Sequence, residues 1–209
     1  MKKIRYVDGF AIRSRLDPDF GVIQSHCDCV VESKNYIPDE EIWIDKQFKN
    51  ETKFLIKFYE LFHNAKNKNI SYQKWRKEIQ KNLPDKKFIP PFIHQQEKIN
   101  GLIIQYVDGS IIRQFLDPEF IFGGHKFVYD YVPAKTIWVD NLQNRQELPY
   151  TLFHEIMEYK QMKKGMTYDQ AHDIATAFEK AKRRDDGVGR YPGDDNYTKK
   201  DTIPYVVKK

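Results

Sequence analysis

An internal repeat constrains the fold of this chain more than any other feature of its sequence. Residues 4–20, IRYVDGFAIRSRLDPDF, match residues 104–120, IQYVDGSIIRQFLDPEF, at a spacing of 100 positions. Further on, IPDEEIWID at 37–45 matches VPAKTIWVD at 132–140 at a spacing of 95 positions. Because both matches occur in the same order, we infer a duplicated unit whose second copy has a shorter intervening loop.

Each copy predicts the same succession of elements. An Asp-Gly pair between apolar residues is typical of a hairpin turn, and the Asp-Pro pair after it starts another turn. A β-rich run follows, at Val22–Val31 in the first copy and Lys126–Val132 in the second. An Ile-Trp segment then predicts a short buried strand, and two helices complete the unit.

The expected fold class is therefore α+β, with two diverged internal repeats, each a small antiparallel β-sheet followed by a helical hairpin. We expect the repeats to pack together in a pseudo-twofold arrangement. The predicted organisation is an N-terminal repeat at 1–83, a Pro-containing linker at 84–100, a C-terminal repeat at 101–183 and a polar tail at 184–209.

Composition narrows the cellular setting. The only cysteines, Cys27 and Cys29, are too close together for an ordinary disulfide framework, which favours a reducing compartment. No long apolar segment is present, so the expectation is a soluble, cytoplasmic chain without a membrane span. The net charge of +5 permits an anionic partner such as nucleic acid but does not require one.

The segment LFHEIMEYKQMKKGMTYDQAH, at 152–172, predicts a helical hairpin in the second copy. Pro149 suits the first turn of a helix, and Gly165 after two lysines is a stop signal. Thr167 with Gln170 forms the pattern of a capping box at the start of the second helix. An apolar stripe on that helix is expected from Ala171, Ile174, Ala175, Phe178 and Ala181.

Two histidines and a glutamate reach similar heights in this hairpin. His154 and Glu158 are four residues apart and share one helix face. From the turn, Glu158 lies about 9 Å and His172 about 7.5 Å along the respective helix axes. These side chains meet if the two faces turn towards each other. The alternatives are a polar patch for the first pair, and for His172 a partly buried histidine bonded to Glu158.

His154-Glu155-x-x-Glu158 resembles the helix of zincin metallopeptidases, with glutamate in place of the second histidine of that motif. The resemblance implies a single Zn²⁺ with His154 as a ligand and Glu155 as the general base. Zinc accepts a carboxylate oxygen, so Glu158 can replace the missing histidine. With His172 the set becomes two histidines and one carboxylate, which suits a catalytic zinc site.

The first copy lacks this set. Tyr59, His63 and Arg76 stand where His154, Glu158 and His172 stand in the second copy. Glu60 matches Glu155, so a structural role for Glu155 stays open, and Asp45 and Asp140 are expected to cap turns in both copies. His125 could approach the site from its loop. The alternatives for His26-Cys27-x-Cys29 are a second metal site and ordinary strand sequence, and the second is favoured because one histidine and two close cysteines rarely close a structural site.

These observations predict a zinc-dependent, peptidase-like hydrolase with its site in the C-terminal repeat. The substrate does not follow from the sequence. The alternative is a non-enzymatic module that binds nucleic acid or protein, with a structural metal or none. Its surface would be the basic, aromatic first hairpin, which contains Lys66, Lys68, Tyr72, Lys74, Trp75, Arg76 and Lys77.

Overall fold

A computed structural model describes residues 2–25, 36–68, 70–81, 83–84 and 89–195. The fold is mixed α+β, with one three-stranded sheet, one four-stranded sheet and six α-helices in these residues. The expected α+β class is thereby confirmed. The His26-Cys27-x-Cys29 segment, the end of the Val22–Val31 run and the last part of the tail lie outside the described residues.

The first half builds the smaller sheet. Its elements are β1 (Lys3–Val7), α1 (Gly9–Arg15), β2 (Ile23–Ser25), β3 (Glu41–Asp45), a 3₁₀ helix (Lys46–Glu51), α2 (Thr52–Asn67) and α3 (Tyr72–Lys81). The strand order is β1-β3-β2, with β3 parallel to β1 and antiparallel to β2. Every residue of β3 is buried, as expected for the Ile-Trp strand.

The second half has the same order of strands and α-helices, with one strand added and no 3₁₀ helix among its described residues. Its elements are β4 (Ile93–Ile99), β5 (Leu102–Val107), α4 (Gly109–Phe115), β6 (Gly123–His125), β7 (Thr136–Asp140), α5 (Leu148–Lys163) and α6 (Tyr168–Asp185). The strand order is β4-β5-β7-β6, and β5 runs parallel to β7. The added strand β4 lies within the predicted linker and pairs with β5 across a turn at Asn100-Gly101, where φ is 50° and 79°.

The prediction of purely antiparallel sheets was wrong, and so was the hairpin at each Asp-Gly pair. Asp8 and Asp108 instead cap α1 and α4, because their side chains accept hydrogen bonds at 3.0 Å from the N–H groups of Ala11 and Ser110. Each helix lies between two strands that pair in parallel, which a tight hairpin cannot join.

The glycine of each Asp-Gly pair permits close approach rather than a turn. A Cβ atom at Gly9 would lie 1.8 Å from Asp45 Oδ2, and one at Gly109 would lie 1.9 Å from Asp140 Oδ2. Both aspartates end the Trp-containing strand of their half and cap the turn after it, accepting from the N–H groups of Gln47 and Leu142. The expected capping role of these aspartates is confirmed.

The structure confirms the predicted Asp-Pro turns but not the predicted β-rich run of the second half. The Asp-Pro turns are confirmed, since the Phe20 and Phe120 N–H groups donate to the carbonyls of Asp17 and Asp117 at 3.1 and 3.0 Å. The β-rich run expected at Lys126–Val132 is wrong. There the N–H groups of Val128 and Tyr129 donate to His125 O, forming turns, and the strand of this region is β6.

The helices α5 and α6 begin and end close to the residues that the sequence predicts. Pro149 lies in the first turn of α5, Gly165 has φ 97° between the helices, and Thr167 forms the capping box with Gln170. The predicted apolar stripe of α6 is partly wrong, because Phe178 is 51% exposed. The buried face of α6 continues instead from its alanines into charged side chains, Glu179 and Arg183.

Two reciprocal ion pairs join the halves. Arg13 of the first half lies 3.0 Å from Glu147 of the second, and Arg113 of the second lies 2.7 Å from Glu51 of the first. Each guanidinium also binds the aspartate that ends the Trp-containing strand of its own half, at 2.9 and 3.0 Å. Each arginine therefore ties the core of its own half to the other half.

The described start of the predicted polar tail packs on the first half. Tyr191 is 3% exposed and donates a hydrogen bond from its hydroxyl to the Arg13 carbonyl at 3.0 Å. The Arg190 N–H donates to Ser14 O at 2.8 Å. None of the helices described combines the length and the apolar character that crossing a membrane requires.

Candidate metal centre

The hairpin of α5 and α6 brings His154, Glu158 and His172 together. His154 Nε2 lies 3.2 Å from His172 Nδ1, and His172 Nδ1 lies 2.9 Å from Glu158 Oε2. The third edge of the triangle, His154 Nε2 to Glu158 Oε2, is 3.5 Å. His154 and Glu158 are buried in the face of α5 that meets α6, whereas His172 stays partly exposed.

This triangle suits a zinc ion. Zn²⁺ binds nitrogen and oxygen at about 2.0–2.1 Å, so tetrahedral ligand atoms lie about 3.3 Å from one another. The three edges, at 2.9, 3.2 and 3.5 Å, bracket that spacing. Two imidazoles and one carboxylate are also ligands that zinc accepts, and three protein ligands leave one position for water or substrate.

Carboxylates orient both histidines from behind. His154 Nδ1 lies 2.9 Å from Glu179 Oε2, and His172 Nε2 lies 3.5 Å from Asp19 Oδ1 of the first half. A carboxylate at one ring nitrogen holds the proton there and leaves the lone pair on the other nitrogen. In both rings that other nitrogen is the one in the triangle, although in His172 it also contacts Glu158 Oε2 at 2.9 Å, so its lone pair becomes available only when a metal displaces a proton. Carboxylate partners of this kind are typical of metal-binding histidines.

A buried chain of ion pairs connects this site with the interface between the halves. Arg183 Nε donates to Glu179 Oε1 at 2.8 Å, and Arg183 Nη2 binds Glu147 Oε1. Glu147 then binds Arg13 of the first half at 3.0 Å. The orientation of His154 is therefore coupled, through Glu179, to contacts that hold the two halves together.

A third histidine approaches the same carboxylate from β6. His125 is 0% exposed, and its Nε2 lies 3.2 Å from Glu158 Oε1, the oxygen that faces away from the triangle. His125, Glu155 and Glu158 form a second group whose ligand atoms lie within 4.8 Å of one another. Glu158 thus belongs to both groups of polar side chains.

Glu155 lies beside the triangle with a carboxylate oxygen available. Its Oε2 is buried and has no hydrogen-bond partner among the residues described. A Cβ atom at Gly123 of β6 would lie 2.9 Å from Glu155 Cγ, so the glycine makes room for this side chain. An unpartnered buried carboxylate oxygen is costly unless a proton, a water molecule or a ligand meets it.

The site opens into a cavity between the halves, with a volume of about 250 Å³. The first half contributes the loop at Pro18–Gly21, and the second half contributes Ile121–Gly124 with the facing side chains of α5 and α6. Tyr168 stacks on His172 at 5.3 Å between ring centroids and covers one side. A small group of a substrate can therefore reach the triangle from this cavity.

Charge is concentrated at the site. Burial opposes protonation of His154 and His172, but hydrogen bonds raise the pKa of His154 to about 10 and that of His172 to about 9. The partners are Glu158 and Glu179 for His154, and Asp19 and Glu158 for His172. Without a metal, two protons therefore supply the charge that one divalent cation would supply.

The two glutamates have opposite shifts. Burial raises the pKa of Glu158, but hydrogen bonds from His125, His154 and His172 outweigh it and hold the pKa well below the usual range. Burial and the adjacent Glu158 charge raise the pKa of Glu155 to about 7. One carboxyl is thus held ionised, and its neighbour is able to exchange a proton near neutral pH.

Sequence reasoning missed the residues behind the histidines. Glu179 follows His172 by seven residues, two helical turns, and Arg183 follows Glu179 by four. That spacing indicates that these three side chains share one face of α6, but the expectation of an apolar face on this helix obscured it. Asp19 comes from the other half of the chain, and no local pattern places it beside His172.

The first half has no such cluster at the matching positions described. Tyr59 bonds to Ser25 at 2.7 Å and packs on His63, with ring centroids 4.1 Å apart. In the basic hairpin, Trp75 is 5% exposed and packs among aromatic residues, so it is a core residue rather than a stacking platform. The described lysines there are exposed, and the side chains of Lys66, Tyr72 and Arg76 lie outside the description.

Comparison with protein-family models, with curated proteins and with solved structures finds no match to this chain. Function therefore has to be inferred from the arrangement of the residues themselves. The most specific arrangement is the triangle of two histidines and one carboxylate.

Proposed function

We propose that this chain is a zinc-dependent hydrolase, peptidase-like, with its site in the second half. His154, Glu158 and His172 would hold the ion. The observation that carries the proposal is the triangle of ligand atoms at 2.9–3.5 Å, with a carboxylate behind each histidine. An ordinary polar patch has no need for two imidazole nitrogens and a carboxylate oxygen to converge on one spot with a further carboxylate behind each ring.

When bound, Zn²⁺ would supply a Lewis acid that activates water and polarises a carbonyl group. Glu155 would accept a proton from the attacking water and pass it to the leaving amine. Its unpartnered oxygen and its place beside the triangle support this role. The cavity between the halves would orient the substrate. A peptide bond is favoured because of the resemblance to the zincin helix.

Two broader proposals accompany this one. The matched segments and the common element order support descent of both halves from a duplicated unit, with the ligand set present in the second half. The two closely spaced cysteines support action in the cytoplasm, where thiols stay reduced.

Metal content tests the proposal directly. We expect about one zinc per chain in untagged protein by elemental analysis, and none in His154→Ala. His63→Ala is the matched control, because His63 occupies the position of Glu158 in the first half, and it should keep its zinc. Absence of zinc from wild type after zinc is supplied would refute the proposal and favour a non-enzymatic binding module.

Catalysis needs a second measurement. The zinc-loaded chain is incubated with a mixture of peptides, and new termini are identified by mass spectrometry. Glu155→Gln should keep the zinc and lose cleavage, because the amide cannot accept the proton. Cleavage that persists undiminished in this variant would remove Glu155 from the mechanism.

A further inference from the structure

The third histidine, His125, has the opposite orientation to the other two. Its ring is fully buried and packs against Tyr159 and Phe127, with centroids 5.4 and 5.9 Å away. These contacts fix the ring in one place. Its Nε2 lies 3.2 Å from Glu158 Oε1, and this oxygen is not the one that belongs to the triangle.

The backbone determines which nitrogen of His125 holds the proton. The Phe127 N–H donates a hydrogen bond to His125 Nδ1 at 3.3 Å. A nitrogen that accepts needs its lone pair, so the ring proton resides on Nε2. In His154 and His172 a carboxylate lies at the far nitrogen, so a metal that displaces the second proton would meet the lone pair of the nitrogen in the triangle. His125 therefore presents a donor where the other two would present lone pairs to a metal.

We propose that His125 is a positioning residue that makes Glu158 a one-oxygen ligand of the metal. Its Nε2 lies 3.2 Å from Glu158 Oε1 without the alignment of a hydrogen bond, and a metal held at Oε2 would fix the carboxylate with Oε1 towards the Nε2–H. This inference rests on the proposed metal centre. A carboxylate held in this way occupies one coordination position, so the position for water or substrate stays open.

A second cation held by His125, Glu155 and Glu158 is the competing interpretation of the same residues. It would need the lone pair of His125 Nε2. The proton would then have to move to Nδ1, where it would face the Phe127 N–H and deprive that group of its acceptor. The hydrogen bond from the backbone therefore favours one metal rather than two.

The test compares wild type with His125→Leu and His125→Gln. Glutamine places an amide N–H close to the position of Nε2, whereas leucine removes the donor. Zinc stoichiometry and affinity are measured by competition with a chelator. We expect one zinc per chain in all three, affinity close to wild type for glutamine, and about 10- to 100-fold weaker affinity for leucine.

A spectroscopic readout separates positioning from loss of stability. Co²⁺ in place of zinc gives intense visible bands when four-coordinate and weak bands when more ligands bind. His125→Leu should lose band intensity, because Glu158 is then able to turn both oxygens to the ion. His125→Gln should keep the spectrum of wild type. If the leucine variant does not fold, His125→Asn takes its place, since asparagine is too short to supply the donor.

Each failure has its own signature. Two zincs in wild type and one in the leucine variant would make His125 a ligand and overturn the inference. One zinc with unchanged affinity and spectrum in the variant without the donor would also overturn it, while the proposed metal centre would stand. Wild type without zinc would refute the proposed function itself, together with this role of His125.

Discussion

The two halves have one scaffold and two different interiors at matching positions. Both have a capped helix after the strand that pairs in parallel with the Trp-containing strand, a fully buried Trp-containing strand and an arginine that reaches into the other half. Where α5 faces β6, the second half has Gly123, Gly124 and His125, whereas the first has Ile23, Gln24 and Ser25. The scaffold therefore does not depend on the candidate site.

The matched glutamates show how far sequence equivalence extends. Glu60 and Glu155 occupy the same position in the two matched helices, yet Glu60 is exposed and Glu155 reaches the cavity. Gly123 provides the space against Glu155, and the first half has the isoleucine side chain of Ile23 at that place. A shared glutamate thus does not indicate a shared structural role, which was the objection to a catalytic Glu155.

The largest effect should come from the ion pairs that join the halves. Arg113→Met should lower the free energy of unfolding by about 3–5 kcal/mol, because it leaves Glu51 and Asp140 without their buried cation. Arg13→Met should lower the free energy of unfolding by less, because Glu147 keeps its ion pair with Arg183. Denaturant unfolding monitored by circular dichroism measures both.

An exposed ion pair provides the control for these two variants. Lys46 pairs with Asp8 at 2.5 Å, but both side chains are more than one third exposed. Lys46→Met should therefore change stability by less than about 1 kcal/mol. A loss of that small size in Arg113→Met as well would mean that the reciprocal pairs are not what holds the halves together.

The next effect concerns the glycines that begin α1 and α4. Gly9→Ala and Gly109→Ala should each destabilise the chain by about 1–3 kcal/mol, since the new Cβ would overlap the aspartate that ends the Trp-containing strand. Gly21→Ala is the matched control, because its Cβ would meet its nearest atom at 3.7 Å. Thermal unfolding distinguishes them, and equal melting temperatures for all three would contradict the close approach.

This pair of glycines also shows where prediction from sequence succeeds and fails. Local signals located the Trp-containing strands, the Asp-Pro turns and the ends of α5 and α6, because caps and turns depend on nearby residues. The Asp-Gly pairs misled, since the same two residues suit a hairpin turn and a helix start. Only the distant Asp45 and Asp140 explain why glycine is needed there.

The candidate site also contains residues that the sequence predicts and residues that it does not. His154, Glu158 and His172 follow from helix periodicity and from heights in a hairpin, both of which are local. The remaining contributors depend on tertiary packing. Asp19 arrives from the other half, and His125 arrives from the short strand β6. No periodicity in the sequence connects these positions with the helices, so the contacts of Asp19 and His125 with the triangle could be identified only from the structure.

A smaller effect, on zinc affinity, is expected from Asp19, the residue by which the first half contacts the triangle. Asp19→Ala should weaken zinc binding about tenfold, the lower end for such partners, because the carboxylate is half exposed and 3.5 Å from His172. Glu119→Ala is the matched control, since Glu119 is the counterpart of Asp19 in the second half. Equal zinc affinities for Asp19→Ala and wild type in a chelator competition assay would show that the first half does not contribute to the site.

The smallest effect is expected at the exposed member of the glutamate pair. Glu60→Gln should change the free energy of unfolding by less than about 0.5 kcal/mol, as for exposed surface positions. It should also leave the zinc content unchanged. A loss well above 1 kcal/mol in Glu60→Gln would show that this glutamate has a structural role in the first half. The contrast between Glu60 and Glu155 would then no longer support Glu155 as a base. The remaining support would be its buried, unpartnered oxygen beside the triangle.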